Sequence, residues 1–386
     1  MAQKFDIIII GGGILGTFHA WHALKNGLRV CLVEKDNSPR GATTQNFGQV
    51  VPSGMNTKWQ KWGRESLDIY KDIQSSFDIS VRQNGTVYLA SDQEEEQLLR
   101  ELKNINKTND YHSVMLTKKE CLDRYPGLSK NYVVAGLLYP QEVTVEPRTM
   151  IHRLQKYMQE TLQLVMKTNF LAVRCEKTNN GVEVTGAHNE NIIAEKVIIC
   201  SGADFKYLYP NLFWESDLQV SKLQMMQTVP QKNYELKGSV LTGWSIRRYE
   251  SFSECPSYPG IKANESNDSL QKKWGVHILF KQAADGSIII GDSHQYANAA
   301  KADELGYDLN LDIDRFIMKE TKKIFEFPTF DIQRKWYGTY AQCKNHDIFQ
   351  KTIDNHIHIV TGIGGKGMTG SAGFARHHIG NLLNLN

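Results

Sequence analysis

A chain of 386 residues with 41% hydrophobic content can bury a large core, and its length suits two interleaved lobes. The formal net charge of +3 comes without a run of five or six like charges, so the electrostatic footprint of a nucleic-acid binder is missing. No stretch is long and apolar enough to span a bilayer. In chain order, the first element says most. After Asp6, the unbroken run Ile7 to Ile10 stops at Gly11, Gly12 and Gly13 and restarts as a helical pattern with His19, Ala20, Ala23 and Leu24. A second apolar run, 28–33, ends at Glu34. Gly11, Gly13 and Gly16 match G-x-G-x-x-G. The first glycine makes the tight turn, the second lets a pyrophosphate approach the backbone, and the third lets helix and strand pack closely. Free N–H groups at the helix start, around Gly12, Ile14 and Leu15, hold the phosphate with help from the helix dipole. The Glu34 carboxylate takes both ribose hydroxyls and repels a 2′-phosphate. Strand, glycines, helix, strand and acid in this order point to an adenine dinucleotide.

The next stretch discriminates between dinucleotides. Past Glu34 and Lys35 comes a polar loop with small residues, including Arg40, Gly41, Thr43, Thr44, Asn46, Gly48 and Gln49. A nicotinamide domain runs on into its next βαβ unit; this loop suits hydrogen bonding to a ribityl chain and a pyrophosphate instead. Residues 59–77 read as a helix, and 79–90 alternate as the first strand of a second sheet. Residues 94–108 and 118–124 read as charged surface helices, 150–160 as a helix and 165–175 as a strand. The pieces 182–184 and 194–199 return toward the first sheet. Residues 220–228, 274–280 and 287–291 read as strands, with Asp285-Gly286 as the turn between the last two. Residues 251–269 are rich in Ser, Pro, Gly and Asn and read as a loop, a candidate lid. The strand Ile357 to Thr361 meets a second glycine cluster, Gly362, Gly364, Gly365 and Gly367, with Lys366 inside it and a helix running to about Leu383. Such glycines let backbone lie flat against a planar ring, and the helix start stabilises negative charge on a reduced flavin.

The six cysteines, Cys31, Cys121, Cys175, Cys200, Cys255 and Cys343, are scattered with no C-x-x-C. That argues against a disulfide framework or a zinc site and for a reducing compartment. The N-terminal apolar run is short and meets glycines, so it reads as strand rather than signal peptide, and a cytoplasmic protein without a metal is expected.

With these motifs the chain resembles the FAD-dependent oxidoreductases of the D-amino-acid oxidase type, which include glycine oxidase and monomeric sarcosine oxidase. The resemblance rests on the N-terminal fingerprint, the Gly41-to-Gly48 loop, residues 197–203 and residues 361–369. Within the family the nearest look is to a bacterial branch reading G-A-x-x-x-N-F-G and G-x-G-G-x-G-M-T, associated with phosphonate catabolism. The resemblance implies an α/β fold, with a Rossmann-like FAD-binding domain of the glutathione-reductase type and an inserted mixed-sheet α+β substrate domain. The expected division is 1–80, 145–218 and 328–386 for FAD, and 81–144 and 219–327 for substrate. It also implies that Glu34 binds the adenosine ribose and that Arg40, Thr43, Thr44, Asn46 and Gly48 follow the FAD. Val173 would touch adenine through its backbone, Ser201 and Gly202 would pass the pyrophosphate, and Gly364, Gly365, Lys366, Gly367, Met368 and Thr369 would line the isoalloxazine.

The substrate side departs from that pattern. Glycine-oxidase-like enzymes carry a carboxylate-binding arginine two residues after W-x-G, but Trp336-Tyr337-Gly338-Thr339-Tyr340 puts a tyrosine there. Arg247, Arg248 and Arg334 can supply the missing charge, with the first two the better choices. Tyr340 is expected over the flavin face. Lys366 can stabilise negative charge on reduced flavin or superoxide. Gln49, His277 and His294 are further candidates to face the ring or the substrate. Cys343 lies where sarcosine-oxidase-like members link flavin covalently, although its surroundings do not match their motif. The expected activity is oxidation of the C–N bond of a small anionic amine to an imine, with hydride transfer to flavin N5 and dioxygen or another acceptor taking the electrons. An aminophosphonate or its N-methyl derivative is the candidate substrate. The alternatives are a flavin-binding sensor and an NAD-linked dehydrogenase.

Overall fold

The isoleucine run becomes the strand Lys4–Ile10, flanked in parallel by Val30–Val33 and Asn191–Ile199. A parallel strand buried on both faces reads as continuous apolar sequence, because neither side meets water. Ile7 and Ile9 pack into one core with the helices Ile14–Lys25, Thr57–Ser76 and Gly367–Leu382, while Ile8 and Ile10 face another with Val182, Val184 and Phe213. A computed structural model describes residues 4–384. Its first sheet runs in the order Phe349–Ile353, Ile357–Thr361, Asn191–Ile199, Lys4–Ile10, Val30–Val33, Val165–Lys167. Gly181–Gly186 and Ala172–Thr178 are added antiparallel beside Asn191–Ile199. No helix among the described residues is long and apolar enough to cross a membrane.

The second sheet has nine strands, in the order Gln295–Asn298, Leu218–Thr228, Ile288–Gly291, Leu279–Gln282, Ser239–Leu241, Thr86–Ala90, Ala135–Tyr139, Val114–Thr117, with Ile332–Cys343 against Leu218–Thr228. With a third, two-stranded sheet of Gln49–Val50 and Val143–Thr144, this mixed architecture of sheets and packed helices is the one the resemblance implies. Several elements differ from the sequence reading. Residues 165–175 are two strands, broken where Asn169 takes a positive φ of 54° and its neighbour Phe170 donates its N–H to the Glu34 carbonyl. Residues 274–280 are strand only from Leu279, since the helix Leu270–Lys273 ends just before. The ladder nevertheless extends outward, because the backbone groups of His277 and Asp292 exchange hydrogen bonds of 3.0 and 2.8 Å.

Residues 251–269 hold a 3-10 turn, Glu250–Glu254, and a helix, Tyr258–Ala263, rather than a plain loop. Their polar composition hides Phe252, Cys255 and Ile261, which are buried in one core, and Pro259 sits in the first turn where its missing N–H costs nothing. The long strand Ile332–Cys343 pairs with the second sheet throughout, although the sequence places 328–386 with the first lobe. A bridge from Gln342 to Ile363 then ties that strand to the C-terminal glycine turn.

Candidate active site

Three glycines divide the labour at the first turn. Gly11 has φ +107°, and a Cβ there would lie 2.3 Å from the Cys200 carbonyl oxygen. A Cβ on Gly16 would lie 2.0 Å from the Gly11 carbonyl oxygen, so helix and strand touch backbone to backbone. At Gly13 the only near atom is Thr43 Oγ1 at 3.3 Å, and that position borders a cavity of about 1210 Å³. The helix Ile14–Lys25 begins here with no acidic residue in its first turn and no side-chain cap from Gly13. Its first N–H, on Ile14, donates to Thr43 Oγ1 at 2.8 Å, which fixes the Gly41-to-Gly48 loop against the helix start. A helix N-terminus with a single side-chain acceptor on its first N–H, beside a glycine with open space, is suited to an anion. The Glu34 carboxylate is oriented from below by the N–H groups of Gly12 at 2.8 Å and Asp36 at 3.1 Å.

The cavity extends from Glu34 and Lys35 to the second sheet and the C-terminal turn. Of the expected cofactor contacts, Gly11, Gly13, Ile14, Leu15, Glu34, Lys35, Arg40, Gly41, Thr43, Asn46, Ser201, Gly202 and the run Gly364 to Thr369 line it. Gly12, Gly16, Thr44, Gly48 and Val173 do not. Gly12 contributes by holding Glu34, and Thr44 closes its own turn by donating to the Gly41 carbonyl. Gly48, at φ +74°, is a packing position where a Cβ would meet the Val145 carbonyl oxygen at 2.2 Å. Val173 is exposed beside buried Ala172, and Phe170, Leu171 and Ala172 line the cavity there.

FAD fits these residues on two observations. Gln49 Nε2 and Ser201 Oγ are buried polar atoms at the cavity with no protein partner. Buried polar groups are ordinarily satisfied, so such orphans mark where a ligand supplies the partner. In addition, a Cβ on Gly41 or Gly202 would have nothing within 4 Å, leaving backbone approachable. Lys366 lines the same cavity, but its ammonium is paired with Glu250 at 2.7 Å and lies 5.4 Å over the Trp59 ring. Its charge is thus partly neutralised. Tyr340 stands over the glycine turn: a Cβ on Gly365 would be 3.9 Å from its hydroxyl. Cys343 also lines the cavity, yet burial pushes its thiol up to about 12, which leaves no ready nucleophile.

On the second sheet, His277, Asp292 and His294 line the cavity together with Arg248, Tyr249 and Tyr296. The His277 ring bridges Ser245 Oγ (3.0 Å) and Asp292 Oδ1 (2.8 Å). The second approach is off hydrogen-bond alignment, so Asp292 Oδ1 is buried without a directed donor. Burial would raise the Asp292 carboxyl, but the His277 ring beside it and the Arg248 guanidinium hold it below the usual range. His294 Nδ1 lies 3.0 Å from the Gly275 carbonyl, which only accepts, so that nitrogen carries the proton and Nε2 keeps the lone pair. Burial, then the nearby Arg248 charge, lowers His294 to about 3 and keeps it neutral.

The two expected arginines separate. Arg247 is away from the cavity, its Nε on Glu95 at 2.8 Å and Nη2 on Asp92 and Glu94 at 2.7 and 3.0 Å. The acid-rich start of the helix Gln93–Thr108 draws it off. Arg248 faces the cavity with Nη2 on Tyr296 Oη at 2.7 Å and no ion pair with any described acidic side chain. Arg334 is not a cavity residue either. Asp292, Tyr249 and Tyr296 escape the sequence reading. The signal for Asp292 was its D-x-H spacing to His294 beyond a strand, opposite His277 across the Asp285-Gly286 hairpin; nothing local marked Tyr249 or Tyr296.

Comparison with known proteins agrees with this fold. The chain is 25% identical over 238 residues to an opine oxidase subunit from Rhizobium meliloti, a match covering 58% of this chain and 63% of that protein. It therefore spans less than two thirds of that curated relative. Among solved structures, a dithionite-reduced L-alpha-glycerophosphate oxidase from Mycoplasma pneumoniae with FAD bound superposes with a TM-score of 0.77 at 18% identity, covering 99% of this chain and 95% of that one. Glycine oxidase from Geobacillus kaustophilus superposes with a TM-score of 0.77 at 14% identity, with the same 99% and 95% coverage. The family described as DAO, FAD dependent oxidoreductase, matches residues 6–379, and this chain belongs to it.

Proposed function

We propose that the protein oxidises the C–N bond of a small amine or amino acid bearing an anionic group, giving the imine. One relative is named an opine oxidase subunit and one solved structure a glycine oxidase, and glycine joins an amine to a carboxylate. Bound FAD would supply the hydride acceptor, its N5. The chain's residues hold and orient. Arg248 carries the reading: a guanidinium at the cavity wall, without a carboxylate partner and steadied by Tyr296, is a place for a substrate anion. Tyr340 occupies the family's arginine position, so the anion sits further from the glycine turn. A wider site suits a phosphonate, which is bulkier and more highly charged than a carboxylate, and an aminophosphonate or its N-methyl derivative is the finer proposal. Tyr249 and Tyr340, whose hydroxyls burial keeps protonated, wall the site against water. All six cysteines are buried and unpaired, which supports the cytoplasm as its place of work.

Anaerobic mixing of the flavin-loaded protein with amines, with and without a carboxylate or phosphonate, tests this by bleaching of the flavin bands. Arg248→Ala should raise the apparent KM for an anionic amine by about tenfold or more, given about 1.5–3 kcal/mol for a charged hydrogen bond, with uncharged amines unaffected. If no amine reduces the flavin, the reading fails; equal effects on charged and uncharged amines would remove Arg248 from it.

A further inference from the structure

Arg248 has a counterpart of opposite sign in the same wall. Asp292 and His294 stand two residues apart just beyond the strand Ile288–Gly291, opposite His277. Asp292 Oδ1 is buried and lacks a directed donor, and His294 has its proton committed to Gly275, leaving Nε2 as an acceptor. His277 is hydrogen-bonded to Ser245, while its other ring nitrogen only packs 2.8 Å from Asp292 Oδ1 without alignment, so the carboxylate keeps acceptor capacity. One carboxylate and one neutral acceptor nitrogen thus face a shared space, with no acidic partner taking up Arg248 beside them. Such a pair offers acceptors and no donor, which is what an amino group with its N–H donors requires.

We propose that Asp292 and His294 form an amino-binding subsite, and that together with Arg248 and Tyr296 they make the cavity select ligands carrying a cation or amine at one end and an anion at the other. This rests on the amine-oxidation reading for its biological meaning, but the selectivity itself is a binding property. It places the determinant of substrate class on Asp292, His294 and Arg248 rather than on Tyr340. The hydrogen-bonded backbone pairing of Asp292 with His277 fixes the main chain from which the carboxylate projects.

The test is a matrix of equilibrium dissociation constants, read from the shift of the flavin absorption bands in the anaerobic holoprotein before any reduction. The probes are aminoethylphosphonate, ethylphosphonate and ethylamine, with β-alanine and propionate repeating the comparison for a carboxylate. Asp292→Asn should weaken aminoethylphosphonate, β-alanine and ethylamine by about tenfold or more while leaving ethylphosphonate and propionate within about twofold. Arg248→Met should do the reverse, weakening both anions and both zwitterions and sparing ethylamine. His294→Gln, which retains a polar side chain, should weaken the amine-bearing probes alone, by about threefold or more, and it carries the test if Asp292→Asn fails to load flavin. The proposal is overturned if Asp292→Asn or His294→Gln affects all probes alike or spares the amines. It is also overturned if ethylamine binds only with added Zn²⁺ and EDTA abolishes the effect. That result would give the three side chains, whose donor atoms lie within 4.8 Å of one another, to a metal ion. A selective matrix without flavin reduction by any amine would sink the oxidation reading alone; normal reduction with a flat matrix would sink the subsite alone.

Discussion

Single glycines separate cofactor binding from folding. A Cβ on Gly13 meets only a hydroxyl at 3.3 Å, whereas one on Gly16 would overlap a carbonyl oxygen at 2.0 Å. Gly13→Val should therefore keep the secondary structure and lose the flavin, since the added side chain fills the place where a pyrophosphate approaches. Gly16→Val should lower the melting temperature of the flavin-free protein as well. Circular dichroism melts with flavin content on the same samples check both, and a Gly13→Val protein that unfolds like Gly16→Val would contradict the assignment. At Glu142 a buried carboxylate accepts from Ser53 N at 2.8 Å, Ser53 Oγ at 3.0 Å and Tyr111 Oη at 2.8 Å. Burial outweighs these donors and raises it to about 7. A raised acid binds its proton more tightly in the folded state, so its stabilising effect is present below the unfolded value and lost as pH rises to 7. Glu142→Gln should remove that loss, narrowing the difference in urea midpoint between pH 5 and pH 8. An unchanged difference would show the carboxylate to be ionised throughout.

Elements explain which residues the sequence could and could not place. The Rossmann turn was legible because strand, glycines and helix are contiguous, so local spacing carries the three-dimensional relation. The choice between Arg247 and Arg248 was not, because it depends on a helix more than a hundred residues earlier in the chain. Asp92, the N-cap of Gln93–Thr108, and Glu94 and Glu95 in its first turn gather Arg247 from the short helix Gly243–Ile246. Glu95 is itself nearly buried, at 3% side-chain exposure, so removing its partner leaves a charge in a poor dielectric. Arg247→Ala should accordingly destabilise the fold by about 3–5 kcal/mol, the scale for breaking a buried pair. Ligand affinity in the molecules that remain folded should be unchanged. Denaturant titration alongside ligand titration checks this; a selective loss of anion binding would return Arg247 to the site. The same reasoning covers Ile332–Cys343, whose membership of the second sheet is decided by its pairing partner, Leu218–Thr228, and not by its neighbours in sequence.

On the scale of the molecule, the cofactor lobe is built to keep histidines neutral. His19 and His22 lie on the dinucleotide helix, and His378 on the C-terminal helix meets His19, Nδ1 to Nε2, at 3.0 Å. Burial lowers His19 and His22 to about 4 and His378 to about 3, against an ordinary value of 6.5. The sign is opposite to that of Glu142. A lowered histidine binds fewer protons folded than unfolded, so its contribution is intact above 6.5 and lost as pH falls toward 4. At about 1.4 kcal/mol per pKa unit, the fully buried His19 alone is worth roughly 3 kcal/mol across that window. Three such groups outweigh Glu142, which gains on acidification. Because two of them sit on the helix whose first turn holds the anion site, acid should unfold the lobe and release FAD together. We expect the melting temperature to fall steeply between pH 6.5 and pH 4, with free flavin fluorescence rising in the same interval. His19→Leu should move that limb to lower pH while costing some stability at neutral pH, where its hydrogen bond to the Leu15 carbonyl is lost. Flavin release at pH 5 without any drop in melting temperature would mean that the site titrates on its own and that these helices do not carry the acid response.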